Sequence, residues 1–339
     1  MKLLICTQVV DQSDPALGFF HDWITEMSKH CERVVVTCLR EGAHNLPANV
    51  EVVKINSLGL GRAGRACNFL YVALGRRNDY THVLVHMNPE YVVVMGALWR
   101  AMGKKVGLWY MHKSVTISLR IAALFAHDIF TGSKESFRLA TPKLHVMGHG
   151  INTEQFAATL RMPRQGMLRI ITVGRLSQSK GVVEMLEALD VLHARGTQFE
   201  FTIVGSSATE ADKVYADILS REVAKRAYKD QVHMLGGIAH AELPQYLARS
   251  DIFLNLSRTG SLDKAVLEAM ASGVVPVTSN EAFRPILEVQ RLWVPSTDAQ
   301  QVAAAILVAA ETDSASLQIE VREHHSLTRL IPAMLGILQ

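Results

Sequence analysis

The chain has 339 residues, 49% hydrophobic and 20% charged, a globular composition that excludes a disordered chain and leaves room for two domains of ordinary size. A formal net charge of +3 gives no argument for nucleic acid as a partner, and it leaves an anionic substrate unrepelled. The four cysteines, Cys6, Cys31, Cys38 and Cys67, lie in largely apolar contexts with no CxxC pair, which argues against a disulfide framework or a zinc site and for reduced, partly buried thiols.

Read in chain order, the first half alternates short apolar runs with helical periodicity. KLLICTQ opens it as a buried strand and not as a signal peptide, since no small-residue cleavage site follows. The loop DQSDPALG leads to a helix over 19–29. RVVVTCL and VEVVKI are the next strands, and 63–74 is helical. THVLVHM, a helix over 92–102, KVGLWYM, a helix over 117–125, HDIFTGS and KLHVMGHG complete the series. The run YVVVMGALW at 91–99 falls short of transmembrane length. It reads as a buried helix, or as a surface helix against an acidic membrane, with Arg100, Lys104 and Lys105 behind it.

The polar stretch 152–166, with Pro163 and Gly166, breaks this rhythm and is the expected linker. Beyond it the alternation restarts with the strands MLRIITVG, FEFTIVG, QVHMLGG, DIFLNLS and VVPVTS, and helices over 182–195, 213–228, 241–249 and 264–272. Such alternation implies parallel sheets with helices on both faces. The expected fold class is α/β, with two facing Rossmann-like domains, 1–155 and 166–320, and a central cleft. Open parallel sheets bind ligands beyond the carboxyl ends of their strands. The tail, 321–339, reads as helical, and packing on its own domain or back toward the first both stay open.

Two segments concentrate the chemistry. In VGRLSQSKG, 173–181, Arg175 and Lys180 stand in a strand-to-helix turn, where free backbone N–H groups attract an anion. A planar guanidinium and a compact ammonium suit a diphosphate. Two solvated surface cations are the alternative. In NLSRTGSLDKAVLEAMASGVVPV, 255–277, a second strand meets the small-residue turn Thr259-Gly260-Ser261, with a helix expected to begin near Ser261 or Asp263. Gly260 lets the backbone approach a ligand. Ser261 and Asp263 are either helix caps or contacts to an anion or hydroxyl. Glu268, inside the apolar LEAMA, is a partly exposed face residue or a paired acceptor for sugar or ribose hydroxyls.

Together these segments resemble the carboxyl-terminal half of the retaining, nucleotide-sugar-dependent glycosyltransferases of GT-B architecture, glycosyltransferase family 4 type. FTIVG, VHMLGGIAHAELPQYLARSDIFLNLS and GHGINTEQF fit the same pattern, and TGSLDK resembles its bacterial polysaccharide-type subgroup. The resemblance implies that Arg175 and Lys180 bind the donor diphosphate and that Glu268 holds the donor's ribose. It implies further donor contacts at Gly18, Gly174, Gly205, Gly236, Ile238, Thr259, Gly260, Ser261, Leu262, Asp263 and Lys264, with Gly236 and Ile238 near the base. One departure stands out. Many members carry a glutamate eight positions before Glu268, and this chain has Gly260 there, so backbone N–H donation helped by Asp263 or Lys264 is the expected substitute.

In LWYMHKSV, His112 follows a strand, and the resemblance implies a hydrogen bond to the donor sugar. Alone, it reads equally as a structural histidine. His21, His86, Asn88, Glu90 and Lys113 are the acceptor-side candidates, while Trp23 reads as core or acceptor surface. Ser133 and Ser136 read as caps. No D-x-D at a strand end, no G-x-x-x-x-G-K-[ST] and no serine-nucleophile elbow occurs. The implied enzyme is therefore a metal-independent retaining glycosyltransferase without cofactor. Its donor is a nucleoside diphosphate sugar, and its acceptor is a glycan, glycolipid or lipid-linked hydroxyl. No nucleic-acid partner is expected. Cytoplasmic residence with peripheral contact to the inner membrane face is expected, on the basic points Arg62, Arg65, Arg76, Arg77, Lys104 and Lys105. A same-fold epimerase and a non-catalytic nucleotide-sugar-binding subunit are the alternatives.

Overall fold

The apolar runs form two main all-parallel sheets in a computed structural model that describes residues 1–14, 16–55, 61–162, 166–258 and 260–339. The first unit comprises Met1–Gly150 and His324–Gln339. Its strands are β1 (Lys2–Cys6), β2 (Arg33–Cys38), β3 (Val50–Lys54), β4 (His82–His86), β5 (Lys105–Trp109), β6 (Asp128–Thr131) and β7 (Leu144–Val146). They lie in the order β3-β2-β1-β4-β5-β6-β7, with Leu3 paired to Val34 on one side and to His82 on the other. The second unit, Ile151–Glu323, contains β8 (Leu168–Val173), β9 (Phe199–Val204), β10 (Val232–Gly236), β11 (Ile252–Asn255) and β12 (Val275–Thr278), in the order β10-β9-β8-β11-β12. Each unit thus starts in its middle, winds outward one way and then the other. Strand order reverses between β1 and β4, and again between β8 and β11, which is where Rossmann-like sheets open a crevice at their carboxyl ends.

Three boundaries differ from the sequence expectation. The segment after Gly150 belongs to the second unit. Asn152 caps a short helix, Thr153–Ala157, by accepting from the Gln155 N–H, and Phe156 is buried against the ring of His240. The division therefore falls at Gly150, not at 155, and the expected linker begins as a packed helix; its Pro163 lies outside the described residues. The helix expected over 213–228 runs from Glu210 to Ala224, because Thr209 and Asp212 form a reciprocal capping box ahead of the apolar periodicity. The tail divides as well. Ala315–His324 ends the second unit's helices, and Leu327–Leu338 belongs to the first unit.

That last helix places Leu327, Leu330, Ile331, Met334, Leu335 and Leu338 on one stripe, all buried. They share a core with Met27, Trp109 and Phe130. Glu90–Ala101 likewise buries Tyr91, Val92, Met95 and Trp99, which makes the 91–99 run a core helix on that face. Among the described residues no single helix is long and apolar enough to cross a membrane. Cys6, Cys31 and Cys38 are buried free thiols, Cys67 is exposed, and burial pushes the Cys6 thiol up to about 12.

Ile331→Ala is expected to destabilise the first unit by about 2–5 kcal/mol, the usual cost of emptying a buried aliphatic site. Denaturant unfolding followed through the buried tryptophans checks it, and an unchanged midpoint would contradict the packing.

Candidate functional site at the second-unit strand reversal

Ile170 and Ile171 of β8 pair with Ile252 and Phe253 of β11, so the two strand exits stand side by side. After β8 the chain makes the single turn Gln178–Lys180 and enters the helix Val182–Ala194 through Gly181, at φ +68°. A β-carbon on Gly181 would lie 2.8 Å from the Leu256 carbonyl oxygen. Only glycine combines that backbone with that approach. At Gly205 a β-carbon would run into the Gly174 carbonyl, so the β8 and β9 exits are pressed together in the same way.

Lys180 Nζ reaches across the reversal and donates to Asp263 Oδ2 at 2.5 Å. Asn255 Nδ2 donates to the same oxygen at 3.1 Å, and Asp263 Oδ1 caps the helix Lys264–Ala271 by accepting from Ala265 N–H at 3.3 Å. Burial opposes the charge on Asp263, but the Lys180 ammonium and these hydrogen bonds outweigh it and hold the carboxyl below its usual range. The network continues inward. Thr278 Oγ1 donates to Asn255 Oδ1 at 3.0 Å, Asn280 N–H donates to Thr278 Oγ1 at 3.1 Å, and Asn280 Nδ2 donates to the Ser261 carbonyl at 2.8 Å. The loop leaving β11 is thereby tied at both ends. Arg175 is half-exposed, with Nε 3.7 Å from Asp212 Oδ2. A cavity of about 10 Å³, the size of one water, lies among Gly174, Arg175, Lys180 and Asn255.

A second cluster sits on the helix that follows. Glu268 Oε1 is 2.5 Å from Lys264 Nζ and 2.6 Å from His240 Nε2, and the two nitrogens are 2.9 Å apart. Lys264 and Glu268 are one helical turn apart on the same face. Burial favours the neutral acid, yet Lys264 and His240 together hold Glu268 at about 2. Glu268 is therefore a buried, paired carboxylate and not a face residue. The reversal as a whole presents an ammonium, a guanidinium and the N-terminus of a helix, which is a set of donors for a polyanion.

Gly260 is buried at φ +63°, a conformation that L side chains seldom adopt. The absence of a glutamate at that position is thus written into the turn's backbone. Ser261 is half-buried, Leu262 is buried in the core, Gly236 takes φ +72° at the end of β10, and Ile238 is half-buried just beyond it. Thr259 lies outside the described residues.

In the first unit the β1–β4 reversal brings Gln8 and Asn88 together, Gln8 Nε2 donating to Asn88 Oδ1 at 2.9 Å. Between them in the chain, Met87 holds φ +64°, a strained backbone for a non-glycine residue. Gln8, Asn88, the exposed Glu90, Arg62 and Arg65 contribute to a groove of about 500 Å³. His112 is exposed after β5, and its Nδ1 accepts the Ser114 N–H at 3.0 Å, which leaves Nε2 for a ligand. Lys113 beside it is half-buried.

Three first-unit candidates are placed otherwise than expected. His86 is buried, stacked on Phe20 with ring centres 4.0 Å apart and 3.4 Å from Thr7 Oγ1. Desolvation lowers it to about 3, so it is a neutral core residue and not an acceptor contact. His21, on the helix Phe20–Lys29, takes the Asn45 N–H on Nε2 at 3.1 Å and braces the loop before β3. A β-carbon on Gly18 would meet the Asp14 carbonyl oxygen at 2.6 Å, so the loop's own turn requires glycine here. Trp23 is core, donating to the Gly150 carbonyl at 3.0 Å. Sequence reasoning missed His240, Asn255, Thr278, Asn280 and Asp212. For the asparagines a signal was present, since each is a polar residue at or just past a buried strand's carboxyl end. Among the described residues no group of three or more His, Cys, Asp or Glu is placed to hold a metal ion.

Residues 168–312 match the family described as "Glycosyl transferases group 1". The chain is 34% identical over 174 residues to the amylovoran biosynthesis glycosyltransferase AmsK of Erwinia amylovora, a match covering 49% of this chain and 41% of that protein. It is 29% identical over 199 residues to the GDP-mannose:cellobiosyl-diphosphopolyprenol alpha-mannosyltransferase of Xanthomonas campestris, covering 58% and 50%. The matched region spans about half the length of these curated relatives or less. The crystal structure of a glycosyltransferase from Rickettsia africae ESF-5 shares the fold, with a TM-score of 0.77 over 99% of this chain and 98% of that one at 15% identity. The α/β fold with two Rossmann-like units expected of a GT-B chain is the fold found.

The depressed Glu268 carboxyl sets a pH dependence. Its folded value of about 2 lies below its ordinary 4.5, so its contribution to stability is full above the ordinary value and is lost as pH falls toward about 2. Denaturant midpoints between pH 6 and pH 2 are expected to fall with a shallower acid slope in Glu268→Gln than in the parent chain. Equal slopes would contradict the pairing with Lys264 and His240.

Proposed function

We propose that this chain, whose residues 168–312 are a glycosyl transferases group 1 domain, transfers a sugar from a nucleoside diphosphate sugar to an acceptor hydroxyl. The reading includes retention of the anomeric configuration and no metal ion. The observation that carries it is the Lys180–Asp263 pair at the strand reversal, with Arg175 on the same turn. Lys180, Arg175 and the helix start at Lys264 are the donors that a diphosphate leaving group requires. The names of the relatives support a place in polysaccharide assembly for AmsK, and a diphosphopolyprenol-linked acceptor for the Xanthomonas enzyme.

In this proposal the donor diphosphate replaces Asp263 as the partner of Lys180, and Arg175 closes on it from the exposed side. The bond from the anomeric carbon to the phosphate oxygen breaks first, through an oxocarbenium-like transition state. The charge that grows on the diphosphate falls on Lys180, Arg175 and the backbone N–H groups of the Asp263-capped helix start, where it is stabilised most. The acceptor oxygen then forms its bond to the same carbon, and its proton passes to the departing phosphate, so no carboxylate base is needed. Glu268 is assigned the ribose hydroxyls, and His112 a sugar hydroxyl. Both roles rest on the resemblance. The acceptor is a glycan, glycolipid or lipid-linked saccharide, handled at the inner membrane face.

Titration of the whole chain with UDP, GDP, ADP and TDP is expected to find one nucleotide bound in the micromolar range and lost in the Arg175→Ala, Lys180→Ala double variant. Loss of one cation from the leaving-group site is expected to reduce kcat/KM by about 10²–10³-fold, or ~3–4 kcal/mol. Failure of every diphosphate to bind would overturn the donor site. Binding without turnover across an acceptor panel would replace the transferase by a nucleotide-sugar-binding subunit.

A further inference from the structure

One oxygen of Glu268 is shared by two side chains that come from different places. Lys264 stands one turn earlier on the helix Lys264–Ala271, with Nζ 2.5 Å from Oε1. His240 comes from the single turn His240–Glu242 after β10, and its Nε2 lies 2.6 Å from the same oxygen. A carboxylate oxygen and an imidazole nitrogen at that separation have a proton between them, so Nε2 carries it and donates. Lys264 Nζ, 2.9 Å from Nε2, is then a second donor beside the first, and the shared oxygen holds both in place. Among the described residues no hydrogen bond falls on Oε2.

Charge accounts for Lys264, the larger of the two influences that keep this buried carboxyl ionised. It does not account for His240. Lys264 belongs to the same helix as Glu268, so its bond fixes the carboxylate relative to that helix and to nothing else. His240 is anchored elsewhere. The chain leaves β10 through Gly236, at φ +72°. The next turn is closed by Ala239, whose N–H donates to Glu242 Oε2 at 3.1 Å and whose carbonyl accepts the Glu242 N–H at 3.0 Å. The buried ring of Phe156 stands edge-on to the imidazole, with ring centres 5.8 Å apart. The imidazole thus has a fixed direction, and its bond adds orientation to a carboxylate that already has a counter-charge.

We propose that His240 is a positioning residue of the donor site: it pins Oε1 of Glu268 so that Oε2 alone meets the ribose, and it thereby sets the preference of the chain for a ribonucleotide over its 2′-deoxy counterpart. The proposal rests on the reading in which Glu268 takes the ribose hydroxyls, and it adds the group that aims the carboxylate. A carboxylate pinned on one oxygen offers the other in one orientation, where a 2′-hydroxyl donates to it. A carboxylate free to turn exchanges that bond for water or for Lys264. His240 touches no substrate in this scheme and takes no part in bond breaking.

The test is calorimetric titration of the full chain with UDP, GDP and ADP, with dUDP, dGDP and dADP, and with TDP. The ribonucleotide that binds is expected to do so about tenfold or more tightly than its 2′-deoxy counterpart, the scale of one hydrogen bond to a charged group. In His240→Phe, which keeps a ring against Phe156 and loses the donor, that ratio is expected to fall to about threefold or less. In His240→Gln, whose amide N–H reaches the place of Nε2, it is expected to recover to about fivefold or more. Thermal unfolding midpoints show which variants are folded, and His240→Leu takes the place of His240→Phe where the larger ring is not accommodated. An unchanged ratio in the folded variant, including a parallel loss of both affinities, makes His240 a structural residue only and overturns the proposal. A parent ratio near one, or binding confined to TDP, which itself lacks the 2′-hydroxyl, overturns the ribose assignment and the positioning role with it, while the diphosphate site stands. Failure of every diphosphate to bind overturns both.

Discussion

Lys180 and Asp263 arrive from separate strand exits and meet as a largely buried ion pair. Removing one partner of such a pair leaves an uncompensated buried charge and costs about 3–5 kcal/mol. The pair therefore does more than join two loops. It decides where the turn after β8 can lie relative to the helix after β11, and Asn255, Thr278 and Asn280 transmit that placement to the end of β12. The same contact also determines which ligands can compete. An incoming group must offer Lys180 more than a carboxylate already hydrogen-bonded in place.

This neutralisation recurs through the second unit's crevice. Arg175 lies near Asp212, Lys180 against Asp263, Lys264 against Glu268, and Arg258 against Glu184. A monovalent anion gains little by displacing any one of these carboxylates. A diphosphate offers several oxygens that accept from two cations and a helix N-terminus together, as the proposed function requires. In the proposed reading, internal pairing favours a multivalent anion over a monovalent one. Gly260, at positive φ in the loop between β11 and its helix, brings no carboxylate of its own to this set of pairs.

The sequence made the strands legible because both sheets are buried on two faces, and continuous apolar runs such as LRIITV and IFLN have no other comfortable state. Arg175, Lys180 and Glu268 were legible because their spacing belongs to a strand-turn-helix unit. Contacts between units of that kind were not. His240 meets Glu268 across 28 residues of chain, and nothing in LGGIAHAE marks it as a partner. His86 looked available at a strand end, yet Phe20 stacks on it, and no local pattern reports that packing. The boundary at Gly150 was displaced by Phe156, one buried ring in an otherwise polar segment. Gly260 read as a missing acid, whereas its positive φ makes it a backbone requirement.

The helix Leu327–Leu338 fills part of a core whose other buried members lie between Leu3 and Phe130. The second unit is a single continuous segment, while the first is closed by residues 324–339, which follow the whole second unit in the chain. During synthesis the second unit's segment is thus complete before the first unit's core can close, and until then the apolar surface around Met27, Trp109 and Phe130 lacks this helix. The nascent chain has a defined interval in which a chaperone that recognises exposed aliphatic surface has something to hold, and that interval ends when the helix Leu327–Leu338 emerges.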